Sequence, residues 1–281
     1  MLKKKCTSLL LPYIIWNVIM FILVATSNFS HRNGWGDIKP WELYRIFWAV
    51  NDGYIATSIL GYQFSILCTP INGPLWFVRD LMVVMTISPL FYWIIKHIKH
   101  WSPVLFILPY LLHIGVPIKG FGLVALCFFP MGMYFSVMNL DIFELLSRFK
   151  KYIISLAFIL FLSFYIFSIL SVSCHLLKEA TIIIGIATAM LIAYTCAMRN
   201  SKLNKRCIKL GETSFWIYVM HTTPFISPLQ HVFAFTRSIS YVGETIYYCA
   251  LLISKIVLCI LTYYALKHIC PKFLSFLIGG R

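Results

Sequence analysis

The chain alternates long apolar runs with short polar connections. Eight of the runs approach the roughly 20 residues a helix needs to cross a bilayer at about 1.5 Å per residue. They cover about 10–28, 75–95, 102–118, 120–138, 152–172, 180–198, 213–232 and 245–266. This pattern predicts an all-α fold: a polytopic transmembrane helical bundle of about eight helices, forming one membrane domain over 1–281. The third and fourth runs are short and share the tight turn "VPIKGF". The stretch "YIATSILGYQFSILCTP", 54–70, is apolar but contains Gly61 and Gln63 and ends at Pro70. It reads as a re-entrant or interfacial segment rather than a ninth span. "MLKKK" opens the chain like the basic region of a signal peptide. The apolar run behind it is too long for one and contains Pro12, Trp16 and Asn17, so a membrane anchor is expected.

Composition agrees with this class. Hydrophobic residues make up 60% of the chain and charged ones 12%, with a mean hydropathy of +0.83. A soluble domain of this size cannot hide that much apolar surface. The net charge of +15 suggests nucleic acid until its placement is examined. Segments 1–9, 96–101, 139–151, 199–209 and 267–281 hold 16 of the 24 Lys and Arg. These segments alternate along the chain with poorly charged ones, as the positive-inside rule requires of cytoplasmic loops. Both termini are therefore expected to be cytoplasmic, with loop 29–53 external. The charge is a topology signal, and no nucleic-acid partner is expected. Nine cysteines show no C-x-x-C spacing, so no metal is expected. Only Cys68, Cys174 and Cys249 approach the outer face, where a disulfide stays open.

Two stretches carry candidate chemistry. In "NGPLWFVRDL", Asn72 suits an N-cap and Pro74 the first helical turn. Arg79 and Asp80 then lie about 8 Å below the outer end of the span. Adjacent helical side chains point about 100° apart, which argues against their pairing with each other. Either Arg79 snorkels to the headgroups and the stretch is structural, or the two line a polar cavity. In "GETSFWIYVMHTTPF", His221 falls about 12 Å into the bilayer from the other side. Pro224 deprives the Met220 carbonyl of its usual donor, and Thr222 and Thr223 can help satisfy it. His221 is then either hydrogen-bonded scaffolding or part of a polar catalytic pocket. Lys255 sits mid-span and needs a partner or a wet cavity. His113, His175 and His231 read as interfacial, as do Trp16, Trp76, Trp93 and Trp101. The polar loop "NFSHRNGWGDIKPWELYR" suits a carbohydrate contact and an amphipathic lid equally.

Three blocks together resemble one family. "KKKCTSLLLPYIIWN", "GPLWFVRDLMVVMTISPLFYWII" and "LGETSFWIYVMHTTPF" occur in the order found in the acyltransferase 3 family of integral membrane acyltransferases. The resemblance implies a ten-helix membrane domain that moves acyl groups, usually acetyl from cytoplasmic acetyl-CoA. The acceptors implied are sugar hydroxyls of envelope polysaccharides or lipid-linked glycans. Expected partners are thus membrane lipids, an acyl-CoA donor and a glycan acceptor, with no resident cofactor. The resemblance implies a supporting donor role for His221 and places Arg79 and Asp80 at the reaction cavity. Family members open with two further helices, the first bearing an Arg and the catalytic His. No such pair opens this chain, so it is expected to be N-terminally incomplete and poor in activity alone. The rival readings are a transporter or flippase for a lipid-linked glycan and a non-catalytic membrane subunit. A transporter favours matched halves, and the long loop after the first span has no counterpart.

Overall fold

Prolines in the first turn open several helices, and the Asp141 side chain caps another. The computed structural model describes residues 6–26, 43–49, 51–59, 62–115, 121–170, 172, 174–199, 201–226, 229–232 and 241–280. A π-helical turn, Cys6–Leu10, leads into α1, Leu11–Thr26, and a short α2 follows at Tyr44–Trp48. Strands β1, Asn51–Ile59, and β2, Tyr62–Thr69, pair as a two-stranded sheet. The apolar stretch 54–70 is thus not a ninth helical span, and its hairpin is the one departure from an all-helical chain among the described residues. Then come α3, Trp76–Thr86; α4, Ser88–Ile98; α5, Ser102–Leu111; α6, Leu123–Val137; and α7, Ile142–Arg148. The last seven helices are α8, Lys150–Ile169; α9, His175–Arg199; α10, Ser201–Gly211; α11, Ser214–Met220; α12, Leu229–Val232; α13, Tyr241–Ile269; and α14, Pro271–Leu277.

Among the described residues, four helices are long and apolar enough to cross a membrane: Ser8–Ala25, Lys150–Phe167, His175–Met198 and Ile246–Ile269. The number reaches six if each of two bent pairs counts as one span. The expected run 75–95 is one such place. It breaks by 63° between Thr86 and Ser88, where Pro89 in the first turn of α4 has no N–H to continue the ladder. The expected run 213–232 is likewise cut short, leaving only α11 and α12 on either side of Pro224. The basic segment 199–209, read as a loop, is mostly the helix α10.

The helices group into two compact units. The first combines Met1–Gly53, Leu67–Met82 and Lys209–Arg281. Its core packs Tyr13 and Trp16 of α1 with Leu75, Val78, Trp216, Val219, Cys259, Tyr263 and Leu277. Trp16 meets Trp216 edge-on, with ring centroids 5.4 Å apart, and its Nε1 donates to the Leu277 carbonyl at 3.0 Å. Trp16 is therefore core rather than interfacial, whereas Trp93 and Trp101 are exposed as expected.

The second unit combines Tyr54–Ile66 with Val83–Ile208. Phe91 of α4 packs edge-on against Phe106 of α5, and Phe143 of α7 stacks on Tyr194 of α9 at 5.0 Å. Along Lys150–Phe167 no residue is buried, and Phe158 and Phe161 are 68% and 64% exposed. That arrangement is stable only where the solvent is itself hydrocarbon. The chain is an integral membrane protein of the all-α class.

Three helices end alike. After α5, α6 and α14 the residues His113, Asn139 and Gly279 take φ of 56°, 52° and 74°. In each case the next N–H reaches back to the carbonyl five residues earlier: Ile114 to Pro109, Leu140 to Phe135 and Gly280 to Ser275. These are αL-type helix endings, which satisfy carbonyls that the helix leaves open. At Gly279 the fit is closest, because an added Cβ would lie 2.7 Å from Pro12 Cγ and 2.9 Å from the Ser8 carbonyl oxygen. Gly280 has the same handedness, with φ of 73° and open space around it. Gly279→Ala should therefore cost both left-handed strain and overpacking, about 2–4 kcal/mol together, against about 1–2 kcal/mol for Gly280→Ala. Thermal unfolding in detergent checks this, and equal shifts for the two variants would contradict it.

Candidate functional site

The first unit contains a line of buried polar groups. Asn17, fully buried in α1, donates through Nδ2 to the Tyr13 carbonyl at 2.8 Å. Its Oδ1 accepts the Asn72 backbone N–H at 3.2 Å. Asn72 precedes the 3₁₀ turn Gly73–Leu75 as expected, yet its side chain makes no capping bond. Its Nδ2 donates instead to the Val219 carbonyl of α11 at 3.3 Å. The Tyr218 hydroxyl donates to the Pro74 carbonyl. Three chain segments distant in sequence are thus tied at the start of α3.

Arg79 and Asp80 follow one turn later. They are 2% and 1% exposed, so neither snorkels. Against the expectation from helical geometry, they pair with each other: Arg79 Nε and Nη2 both donate to Asp80 Oδ1, at 2.9 and 2.7 Å. The 100° offset constrains Cβ directions, but the long Arg side chain can turn back to its neighbour. Burial makes that contact worth forming. Arg79 Nη1 donates to the Trp48 carbonyl, and the guanidinium lies 5.5 Å from the Trp48 ring centroid. The fork thereby joins α2 to α3.

His221 follows the last residue of α11 and is half-buried. Its Nδ1 lies 3.1 Å from the Ile217 carbonyl oxygen and 3.0 Å from that of Tyr218. Both partners can only accept, so Nδ1 carries the hydrogen. In the neutral ring Nε2 is then the acceptor, a base whose tautomer the backbone sets. Thr223 supplies both its N–H, at 2.9 Å, and its Oγ1–H, at 2.8 Å, to the Met220 carbonyl that Pro224 leaves open. Thr222 is exposed and takes no such role.

The remaining candidates divide. His113 is buried rather than interfacial, with Nε2 3.1 Å from Glu179 Oε1 in the second unit. His175 is exposed, with its ring 5.3 Å from that of His113. Lys255 is half-buried in α13 without an ion pair among the described residues. No cluster of metal-ligating groups occurs among the described residues, and Cys127, Cys174, Cys196, Cys207, Cys249, Cys259 and Cys270 are free thiols. Most of the aromatic loop after α1, residues 27–42, lies outside the described residues, as does the side chain of His231. Sequence reasoning missed the Asn17–Asn72–Val219 link and the His113–Glu179 pair. An Asn within an apolar helix was the available signal for the first.

The profile of a family described as an acyltransferase domain, acyltransferase 3, matches residues 1–264. The chain belongs to this family. Succinoglycan biosynthesis protein ExoH of Rhizobium meliloti (strain 1021) is 35% identical over 91 residues, which are 32% of this chain and 21% of that relative. The chain thus matches about one fifth of the relative's length. No solved structure shows significant similarity.

Within the acyltransferase domain the Arg79–Asp80 pair is a buried tie whose halves depend on each other. Removing one partner of such a pair costs about 3–5 kcal/mol, because a charge remains buried without its counter-charge. Asp80→Asn should therefore sharply reduce monodisperse protein extracted in detergent and lower its unfolding temperature. Arg79→Lys keeps the charge but cannot reach the Trp48 carbonyl and grip Asp80 together, so about 1–3 kcal/mol should be lost. Parent-like stability in both variants would show that the pair does not hold α2 to α3.

Proposed function

We propose that the chain is a membrane O-acyltransferase of the bacterial inner membrane, with both termini cytoplasmic. It moves an acetyl group from acetyl-CoA to a sugar hydroxyl of an envelope polysaccharide or lipid-linked glycan. The family supports acyl transfer, and the role in the relative's name, succinoglycan biosynthesis, supports a glycan acceptor. The observation that carries the reading is the orientation of His221. With Nδ1–H committed to two backbone carbonyls, Nε2 can take the proton of a sugar hydroxyl as general base, a larger role than the supporting one that the family resemblance implies. The freed oxygen attacks the thioester carbonyl, the C–S bond breaks, and coenzyme A leaves as thiolate, which recovers the proton from His221. Arg79 and Asp80 act as positioning residues: they fix the start of α3, to which α11 and His221 are tied through Asn72 and Tyr218.

Deleting the gene in its host separates this reading from the rival ones. Surface polysaccharide of unchanged length but without its O-acetyl groups, read by NMR, is the expected result. Loss of surface polymer with accumulated lipid-linked intermediate would indicate a flippase instead. Complementation with His221→Asn keeps a donor at the Nδ1 position and removes the Nε2 base. Acetylation by this variant should fall by about 10²-fold or more, the usual contribution of a general base, at parent-like abundance. Full acetylation would exclude His221 as the base.

A further inference from the structure

The first unit holds a second feature that the transfer step does not use. A recess of about 350 Å³ is lined by Lys209, Tyr264, Lys267 and His268. Lys209 comes from the last turn of α10, and Lys267 and His268 from the last turn of α13. An open surface recess is thus bordered by an aromatic ring and by three basic side chains from two helices, mostly through their apolar stems. Complementing a helix C-terminus explains a lone basic residue there. It does not explain why basic residues from two separate helix ends share one concavity.

Lys267 is also held in place. Its Nζ donates to Glu212 Oε2 at 3.0 Å and lies 5.6 Å from the Tyr263 ring centroid. An ammonium has three donors, so two remain for a further acceptor. Along α10, Lys202, Lys205, Arg206 and Lys209 fall at helical register on one face. Such a stripe raises the local concentration of anions near its end. Both contributing segments, 199–209 and 267–281, belong to those that the positive-inside rule assigns to the cytoplasmic side, where coenzyme A is found.

We infer that this recess binds the phosphate groups of the acyl-CoA donor, with Lys209 and Lys267 as their cationic partners and Tyr264 as a face for the adenine. The inference rests on the acyl-CoA reading given above and adds a place for the donor's nucleotide end. Lys209 and Lys267 are outside the transfer machinery, and the exposed Lys267–Glu212 pair contributes little to stability. Substituting them should therefore leave the fold intact.

The test is binding to the full chain in detergent, measured by calorimetry with coenzyme A, adenosine 3′,5′-bisphosphate and pantetheine, which lacks phosphate. The parent should bind the first two, more weakly as salt rises. Lys209→Gln and Lys267→Gln should each weaken both at least tenfold and leave pantetheine unaffected. Coenzyme A binding unchanged in both variants would overturn the site while leaving the donor reading in place. A parent that fails to bind coenzyme A in any form would remove the donor reading itself, and the site with it. Vesicles with and without phosphatidylglycerol separate the remaining source of phosphate. Substitutions that weaken association with the anionic vesicles but not coenzyme A binding would assign the recess to lipid and overturn the proposal.

Discussion

A polar group surrounded by hydrocarbon has to find its partner within the protein, since no water is there to take it. The first unit follows from this constraint. Asn17 accepts the Asn72 backbone N–H and Asn72 Nδ2 reaches the Val219 carbonyl, with Asn72 Oδ1 the one buried exception of the two side chains. Arg79 satisfies Asp80 and a carbonyl of α2. Trp16 closes on the end of α14. Apolar contacts among α1, α3, α11 and α13 supply adhesion, but such surfaces are nearly interchangeable in a hydrophobic solvent. The polar bonds are directional and have few alternatives, so they set which helix meets which and in what register.

The same constraint shapes the candidate base. A proline three residues beyond His221 would leave a carbonyl exposed, and Thr223 bonds it twice over. The helix therefore stops at Met220 without a polar debt. The imidazole at the break turns its Nδ1 back onto the last turn, which leaves Nε2 as the ring's acceptor. Orientation of the ring is thus a by-product of ending a helix inside an apolar environment. Acyl transfer, the chemistry of the family, needs such a group beside an acceptor hydroxyl.

The membrane class was legible because uninterrupted apolar runs admit few other readings. Helix ends were less so. Pro89 and Pro224 were both visible, yet composition alone does not say whether a proline bends a span or terminates it; the surrounding helices decide. The basic segment 199–209 was read as a loop by charge, and the helical spacing of Lys202, Lys205, Arg206 and Lys209 was a signal left unused. Arg79 and Asp80 stood out as charges in an apolar run, but their mutual pairing was dismissed on Cβ directions that a long, flexible side chain does not obey. His113 and Trp16 looked interfacial because their partners, Glu179 and the Leu277 carbonyl, are far away in sequence.

The two units differ in how their pieces are ordered along the chain. Most of the second is the unbroken run Val83–Ile208, whereas the first draws on three separated segments, the last ending at Arg281. During synthesis the second unit has nearly all its residues available before Lys209 is made, and domains generally fold as their residues emerge. Asn17 can meet the Asn72 N–H early, but Asn72 then lacks the Val219 carbonyl and Trp16 the α14 carbonyl that each will bind. The Trp16 indole N–H then has to be sheltered by insertion machinery or lipid until α14 has been made. The timing of assembly is in this way written into the distance between Trp16 and Leu277.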